Sequence, residues 1–244
     1  MAGITLQSVL DYSSQLLGES GGTPSSQTTI RTNFANRAKN ALARIRNWSW
    51  ELQDGDPINY VYSATPTNGE YTYTLTPSAG TFKNKDSMVT LIFTDSNKNQ
   101  TAFSQAPESQ VAYEVLNQLT DNIFFIKGND NSGYTLVVNS YAMGLPASNV
   151  SNAWSYRYFA KEADFVATTD TSSIPDISYL AWKVAEDVLY GYREQAQAQL
   201  AGQSAQNALD DMAMQDQKEA PYVNQSIMSF RTFVGASNSF KSYY

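Results

Sequence analysis

Asp210, Asp211, Asp216 and Glu219 crowd one stretch of the chain, and their type and spacing come nearest to chemistry. Paired carboxylates can act as general acid and base or hold a hard cation. Asp210 and Asp211 are adjacent, however. Neighbouring side chains on a helix diverge by about 100°, so this pair does not converge on one substrate. The other parts of an active site are missing. The sequence has no histidine and no cysteine, which removes the usual general base, the thiol nucleophile, thiolate metal sites and disulfides. It contains no Gly-rich phosphate loop, no GxSxG turn and no HExxH pair. The expectation is a protein that is not an enzyme and needs no cofactor or metal. A hydrolase built on these acids is the weaker reading beside solvated acids at a helix end.

The second concentration of charge is basic. Arg31, Arg37, Lys39, Arg44 and Arg46 are five of the 16 Lys and Arg residues, gathered in one short stretch. They read either as a solvated polar face or as a face for an acidic neighbour in an oligomer. The formal net charge of −7 argues against affinity for a nucleic-acid backbone. It does not argue against proximity to DNA, because a wall that does not bind phosphate lets DNA slide. Charged residues make up only 16% and aromatic residues 13%, against about 25% charged in an average domain. Such a surface suits burial against neighbours, and Tyr and Thr equally favour strands. Met1 to Asp11 lacks the basic start and apolar run of a secretion signal. No stretch approaches the roughly 18 apolar residues of a spanning helix. The expectation is a soluble protein made in a cytoplasm, without membrane contact.

The elements that must position these charges follow from periodicity. Leu6, Val9, Leu10, Ser13, Leu16 and Leu17 have helical spacing, with Thr5 as N-cap and Gly18 just past the end. A Gly/Ser/Thr-rich loop follows. Ile30, Phe34, Ala38, Ala41, Leu42, Ile45 and Trp48 then form an apolar stripe that predicts a helix over 29–50, with the basic residues mostly off the stripe. Asp54-Gly55-Asp56-Pro57 forces a turn. From Tyr60 to about Tyr158 the period becomes that of strands. Tyr71, Tyr73 and Leu75 alternate with Thr. Met88 to Thr94 reads as a buried strand, followed by turn residues and a return strand from Gln100 to Phe103. Ile123 to Lys127 and Tyr134 to Tyr141 flank a polar, Gly-bounded loop and predict a hairpin. Ser109 to Leu119 reads as a short helix. Ser173-Ile174-Pro175-Asp176 is a capping box by type. It opens a long helix with Ile177, Leu180, Ala181, Val184, Val188 and Tyr192 on its buried stripe. That helix runs to about Gln217, with Gly202 as the expected break. Its acidic end runs against the usual preference for cations there.

Beyond it, Pro221, Tyr222, Ile227, Met228, Phe230, Arg231, Phe233, Phe240, Tyr243 and Tyr244 are scattered along a polar tail that reads as an extended arm. The fold class expected is α+β. An antiparallel helical bundle (residues 1–56 and 160–220, two N-terminal helices plus a long C-terminal one) holds an inserted β-rich domain (57–159) and releases an extended C-terminal arm (221–244).

This order of elements resembles the head-to-tail adaptor proteins of short-tailed bacteriophages, the tail tubular protein A type. The resemblance rests on four features. Asn36 to Ile45 runs into Trp48-Ser49-Trp50. Ile123 to Lys127 and Tyr134 to Tyr141 lead to Leu145-Pro146. Ala167 to Thr171 precedes Ser173-Ile174-Pro175 and the helix Ile177 to Tyr192. A C-terminal extension follows. The resemblance spans about residues 5–220, and the long insertion between Tyr60 and Phe103 departs from it. It implies a virion protein of the neck, a connector: a dodecameric ring under the portal protein that carries the tail nozzle or tail tube and lets DNA pass during genome ejection. In that reading the arm residues from Pro221 to Tyr244 bind portal. Arg31, Arg37, Lys39, Arg44 and Arg46 meet a neighbouring subunit, and Asp210, Asp211, Asp216 and Glu219 face the channel. Two other readings stand beside it. One is another neck or tail ring, a stopper or nozzle. The other is a carbohydrate-binding module that exposes the Tyr71/Tyr73 face.

Overall fold

The computed structural model describes residues 3–75, 81–129 and 132–219, and the chain is mixed α and β. In order, the elements are β1 (Ile4–Thr5), α1 (Leu6–Leu16), α2 (Thr28–Ile45), β2 (Leu52–Asp54), β3 (Ile58–Tyr60), β4 (Glu70–Leu75), β5 (Thr81–Phe82), β6 (Met88–Thr94), β7 (Gln100–Gln105), α3 (Glu108–Leu116), β8 (Ile123–Asn129), β9 (Gly133–Asn139), β10 (Val150–Lys161), β11 (Thr171–Ser172), α4 (Ile177–Gly191) and α5 (Gln195–Glu219). Among the described residues they form two units, one from 3–50 with 164–219 and one from 51–163.

The helical unit takes both of its halves from distant parts of the chain. Thr5 caps α1 as its type predicts, accepting from the Ser8 backbone N–H at 3.1 Å. Gly18 follows the helix at φ +74°, a conformation that favours glycine. β1 and β11 pair antiparallel and tie the start of α1 to the stretch before α4. Leu6, Val9 and Leu10 of α1, Ala35, Ala38 and Leu42 of α2, and Leu180, Val184 and Val188 of α4 share one core with Met212 of α5.

Three expectations are corrected here. α2 ends at Ile45 and does not continue to Trp50. Trp48 folds back, its indole N–H donates to the Leu42 carbonyl at 2.9 Å, and its buried ring stacks on Trp50. The cap of α4 is Asp176, which accepts from the Ser178 N–H at 2.8 Å, and not Ser173. The long C-terminal helix is two helices. The chain turns at Tyr192–Glu194 with Arg193 at φ +63°, and Gly202 lies inside α5. Gly202 is there because α4 comes close: a Cβ would sit 2.9 Å from a carboxylate oxygen of Glu186.

The second unit is a curled sheet in the order β2-β10-β6-β7-β8-β9-β4, with β3 and β5 also pairing with β10. The predicted β6–β7 and β8–β9 hairpins form, and β7 meets β8 in the sheet's parallel pairing. β10, the longest strand, has no counterpart in the sequence reading. It holds four other strands and puts Trp154, Tyr156 and Tyr158 into the core. Trp154 meets Phe93 and Phe103 edge-to-face at 4.9 and 5.0 Å. About a third of the chain's aromatic residues, ten in all, lie in this interior. α3, capped at Pro107, lays Val111 on β8 and β9 and stops before Gln118, whose φ is +54°.

Candidate functional site

α2 presents a different face to the core from the one its apolar stripe predicts. Its buried residues are Arg31, Thr32, Ala35, Ala38, Lys39 and Leu42, while Ile30 and Ile45 are each 53% exposed. Two partnerships bring charge inside. The Arg31 side chain is fully buried. Its guanidinium donates to both Glu19 carboxylate oxygens at 2.9 and 2.6 Å, to the Ser14 hydroxyl at 2.9 Å, and to the Gln27 side chain. These bonds hold the Glu19 carboxyl below its usual range. The Lys39 ammonium lies 4.0 Å above the centre of the Phe165 ring, and Asn36 bonds both backbone groups of Phe165.

Arg31 and Lys39 therefore fasten the interior, and their assignment to an inter-subunit face is corrected. Arg46 is also engaged within the unit. Its guanidinium pairs with Asp216 and lies over the Trp48 ring. Arg37 is exposed, covers the Phe34 ring and pairs with Asp187 of α4. Arg44 is exposed and makes no ion pair among the described residues. The outward face of α2 thus carries Ile30, Asn33, Arg37, Ala41, Arg44 and Ile45, with Phe34 half-buried: an apolar strip with a polar and cationic edge.

The acids of α5 separate likewise. Asp216 is 1% exposed, and its second oxygen accepts from the Ser49 N–H at 2.9 Å. It cannot line a channel. It explains why an acid stands near a helix end: a guanidinium and a backbone N–H await it there. Asp210 and Asp211 are exposed, and Gln206 donates to Asp210 at 2.8 Å. Glu219 closes α5, and the arm residues Pro221 to Tyr244 lie outside the described residues.

On the sheet, Tyr71 is 8% exposed and Tyr73 packs towards Trp154, so these two rings do not make the exposed platform that sugar stacking requires. Among the described residues, no three acids gather as a metal site, and no helix is long and apolar enough to cross a membrane.

The residues that sequence reasoning missed line a groove within the helical unit, about 330 Å³ in volume. Leu16 of α1, Leu17 just past it, Trp182 of α4, Tyr192 at the α4–α5 turn and Leu200 of α5 form its apolar walls, and Glu19, Glu194, Gln197 and Ser204 its polar lining. Leu200 is 63% and Tyr192 52% exposed. A single straight helix would have put Tyr192 and Leu200 on a continuous stripe. The turn at Arg193 aims them into a cleft instead. Compared with known proteins, the chain matches no protein-family model and no curated protein sequence.

Proposed function

We propose that the chain is a structural head-to-tail adaptor of a phage particle, a ring subunit that links the portal to the tail and lets DNA pass. One observation carries this reading. Both ends of the described chain build one helical unit, with a curled sheet inserted between them in the sequence, and α2 of that unit turns Ile30, Ala41, Arg44 and Ile45 outward. An apolar face rimmed by cations suits a neighbouring copy better than solvent. The partners are copies of the chain, the portal, and a tail nozzle or tail tube protein. Asp210 and Asp211 are the acids left to face passing DNA, which they would repel and not bind. The arm from residue 221 supplies aromatic anchors to portal crevices. The protein acts without cofactor and without catalysis, in the virion after assembly in the host cytoplasm.

The test is to mix purified chain with portal rings and image the product. Rings should form beneath the portal and not on the chain alone, where lateral contacts are too modest without a template. Removing residues 221–244 should leave a folded chain that no longer docks. Unchanged docking by the truncated chain, or a ring seated elsewhere in the neck, would overturn the reading.

A further inference from the structure

β4 is the last strand of its sheet. β9 pairs with one of its edges, and among the described residues no strand pairs with the other. We propose that this free edge binds the same edge of a second copy of the chain, antiparallel about a two-fold axis, with Thr72 opposite Thr72. The direction of each backbone group follows from the register. The Ser140 N–H donates to the Gly69 carbonyl at 3.2 Å, so Gly69 and Ser140 open the β4–β9 ladder as a hydrogen-bonded pair. Such pairs recur at every second residue of an antiparallel ladder. Tyr71 lies opposite Val138, Tyr73 opposite Leu136 and Leu75 opposite Tyr134, and these three residues turn their backbone groups to β9. Glu70, Thr72 and Thr74 turn theirs to the free edge. The Glu70 N–H is taken locally by the Thr67 carbonyl. The edge therefore offers the N–H groups of Thr72 and Thr74 and the carbonyls of Glu70, Thr72 and Thr74.

The two ends of the sheet are treated differently. At the far end, β2 and β3 are three residues each and are separated by a turn that exposes Asp54, Asp56 and Pro57. Short strands, charge and proline keep an edge from pairing. β4 has none of these devices. Its six residues run without Lys, Pro, Gly or bulge, and Thr72 and Thr74 are exposed while Tyr71 and Leu75 anchor the strand in the core. Its chemistry matches its own copy. Centring the pair on Thr72 sets Glu70 opposite Thr74 of the second copy. Each Thr72 N–H then meets the other Thr72 carbonyl, and each Thr74 N–H the other Glu70 carbonyl, so both free donors of each copy are used. The Glu70 carboxylate faces a threonine hydroxyl that can donate to it. Centring on Glu70 would instead oppose two carboxylates, with no free N–H between them. The β2–β3 edge of another copy would add Asp54 and Asp56 to Glu70 and a proline that cannot donate. A two-fold pair closes on itself and does not extend into a ring. This contact is therefore distinct from the lateral contacts of the adaptor reading, and each stands without the other.

Sedimentation equilibrium of the purified full-length chain should show a monomer–dimer equilibrium. Thr72→Pro deletes the central donor without breaking a bond to β9, since an edge strand tolerates proline where its N–H faces outward. Thr72→Lys sets two ammonium groups opposite each other. Each change should raise the dimer dissociation constant at least about tenfold and leave the circular dichroism of the native chain. The chain has no cysteine, so an introduced one is unique. Thr72→Cys should oxidise to a linked dimer. Thr74→Cys should not, because in this register it lies about 13 Å along the strands from its counterpart. A chain that stays monomeric at every concentration, or a dimer that Thr72→Lys leaves intact, would overturn the proposal. Linking at Thr74→Cys as fast as at Thr72→Cys would refute the register. Amides of Thr72 and Thr74 that become protected from hydrogen exchange only when portal is added would assign the edge to that protein and not to a second copy.

Discussion

Replacing Asp216 by alanine tests whether the acidic end of α5 is a structural clamp. In the native chain its carboxylate takes the Arg46 guanidinium on one oxygen and the Ser49 N–H on the other, at 1% exposure. Alanine leaves a guanidinium whose side chain is only 20% exposed without its counter-charge. Breaking a fully buried pair costs about 3–5 kcal/mol. Partial access of water to Arg46 puts this case at the low end, and the lost backbone bond contributes about 1 kcal/mol of it. The expected loss is about 3 kcal/mol, against less than about 0.5 for Asp210→Ala on the exposed face of the same helix. Urea titration followed by tryptophan emission measures it, since three of the four tryptophans, Trp48, Trp50 and Trp182, belong to the helical unit. The double variant with Arg46→Ala should lose much less than the sum of the two single changes. Equal, small losses for Asp216→Ala and Asp210→Ala would refute the clamp and return Asp216 to the list of surface acids.

Arg31→Met should change the acid limb of stability. Glu19 titrates below its usual value of 4.5 in the folded chain, so its contribution is complete above that pH and is lost as pH falls through the lowered folded value; urea midpoints between pH 3 and 6 should fall less steeply in the variant. Gly55→Ala should destabilise the sheet unit by about 1–3 kcal/mol, because the new Cβ would lie 2.0 Å from the Tyr156 ring; a crystal structure with Tyr156 unmoved and full stability would count against this. Burial pushes the Tyr73 and Tyr156 phenols up to about 12. Their protons are therefore held by the folded state and released by the unfolded one, and sheet stability should fall as pH rises from 10 through 12. Ultraviolet titration of the native chain should show these phenols ionising late, and ionisation of every tyrosine near pH 10 would sink the assignment.

Much of the fold is legible in local chemistry. Thr5 before an apolar period, Gly18 behind it, the alternation at β4, the Asp95–Asn99 turn and the Gly-bounded loop between β8 and β9 each act within a few residues. Short-range sterics and hydrogen bonding therefore dictate them wherever the chain goes. The α+β class and the insertion of strands between helices follow from that. The site was less legible. Periodicity sorts apolar from polar side chains and assumes that charge stays outside. Arg31 and Lys39 break the assumption because partners meet them in the interior: Glu19 and Ser14 for one, the Phe165 ring for the other. That rotates α2 and leaves Ile30 and Ile45 in the open. Asp216 finds Arg46 across 170 residues of sequence, a distance no local pattern encodes. β10 becomes the hub of the sheet, and Arg193 the turn between two helices, only because within each unit distant elements must close around that unit's own core. Burying a charge or reversing a helix is costly alone, and only packing that joins remote parts of the chain supplies the compensating bonds.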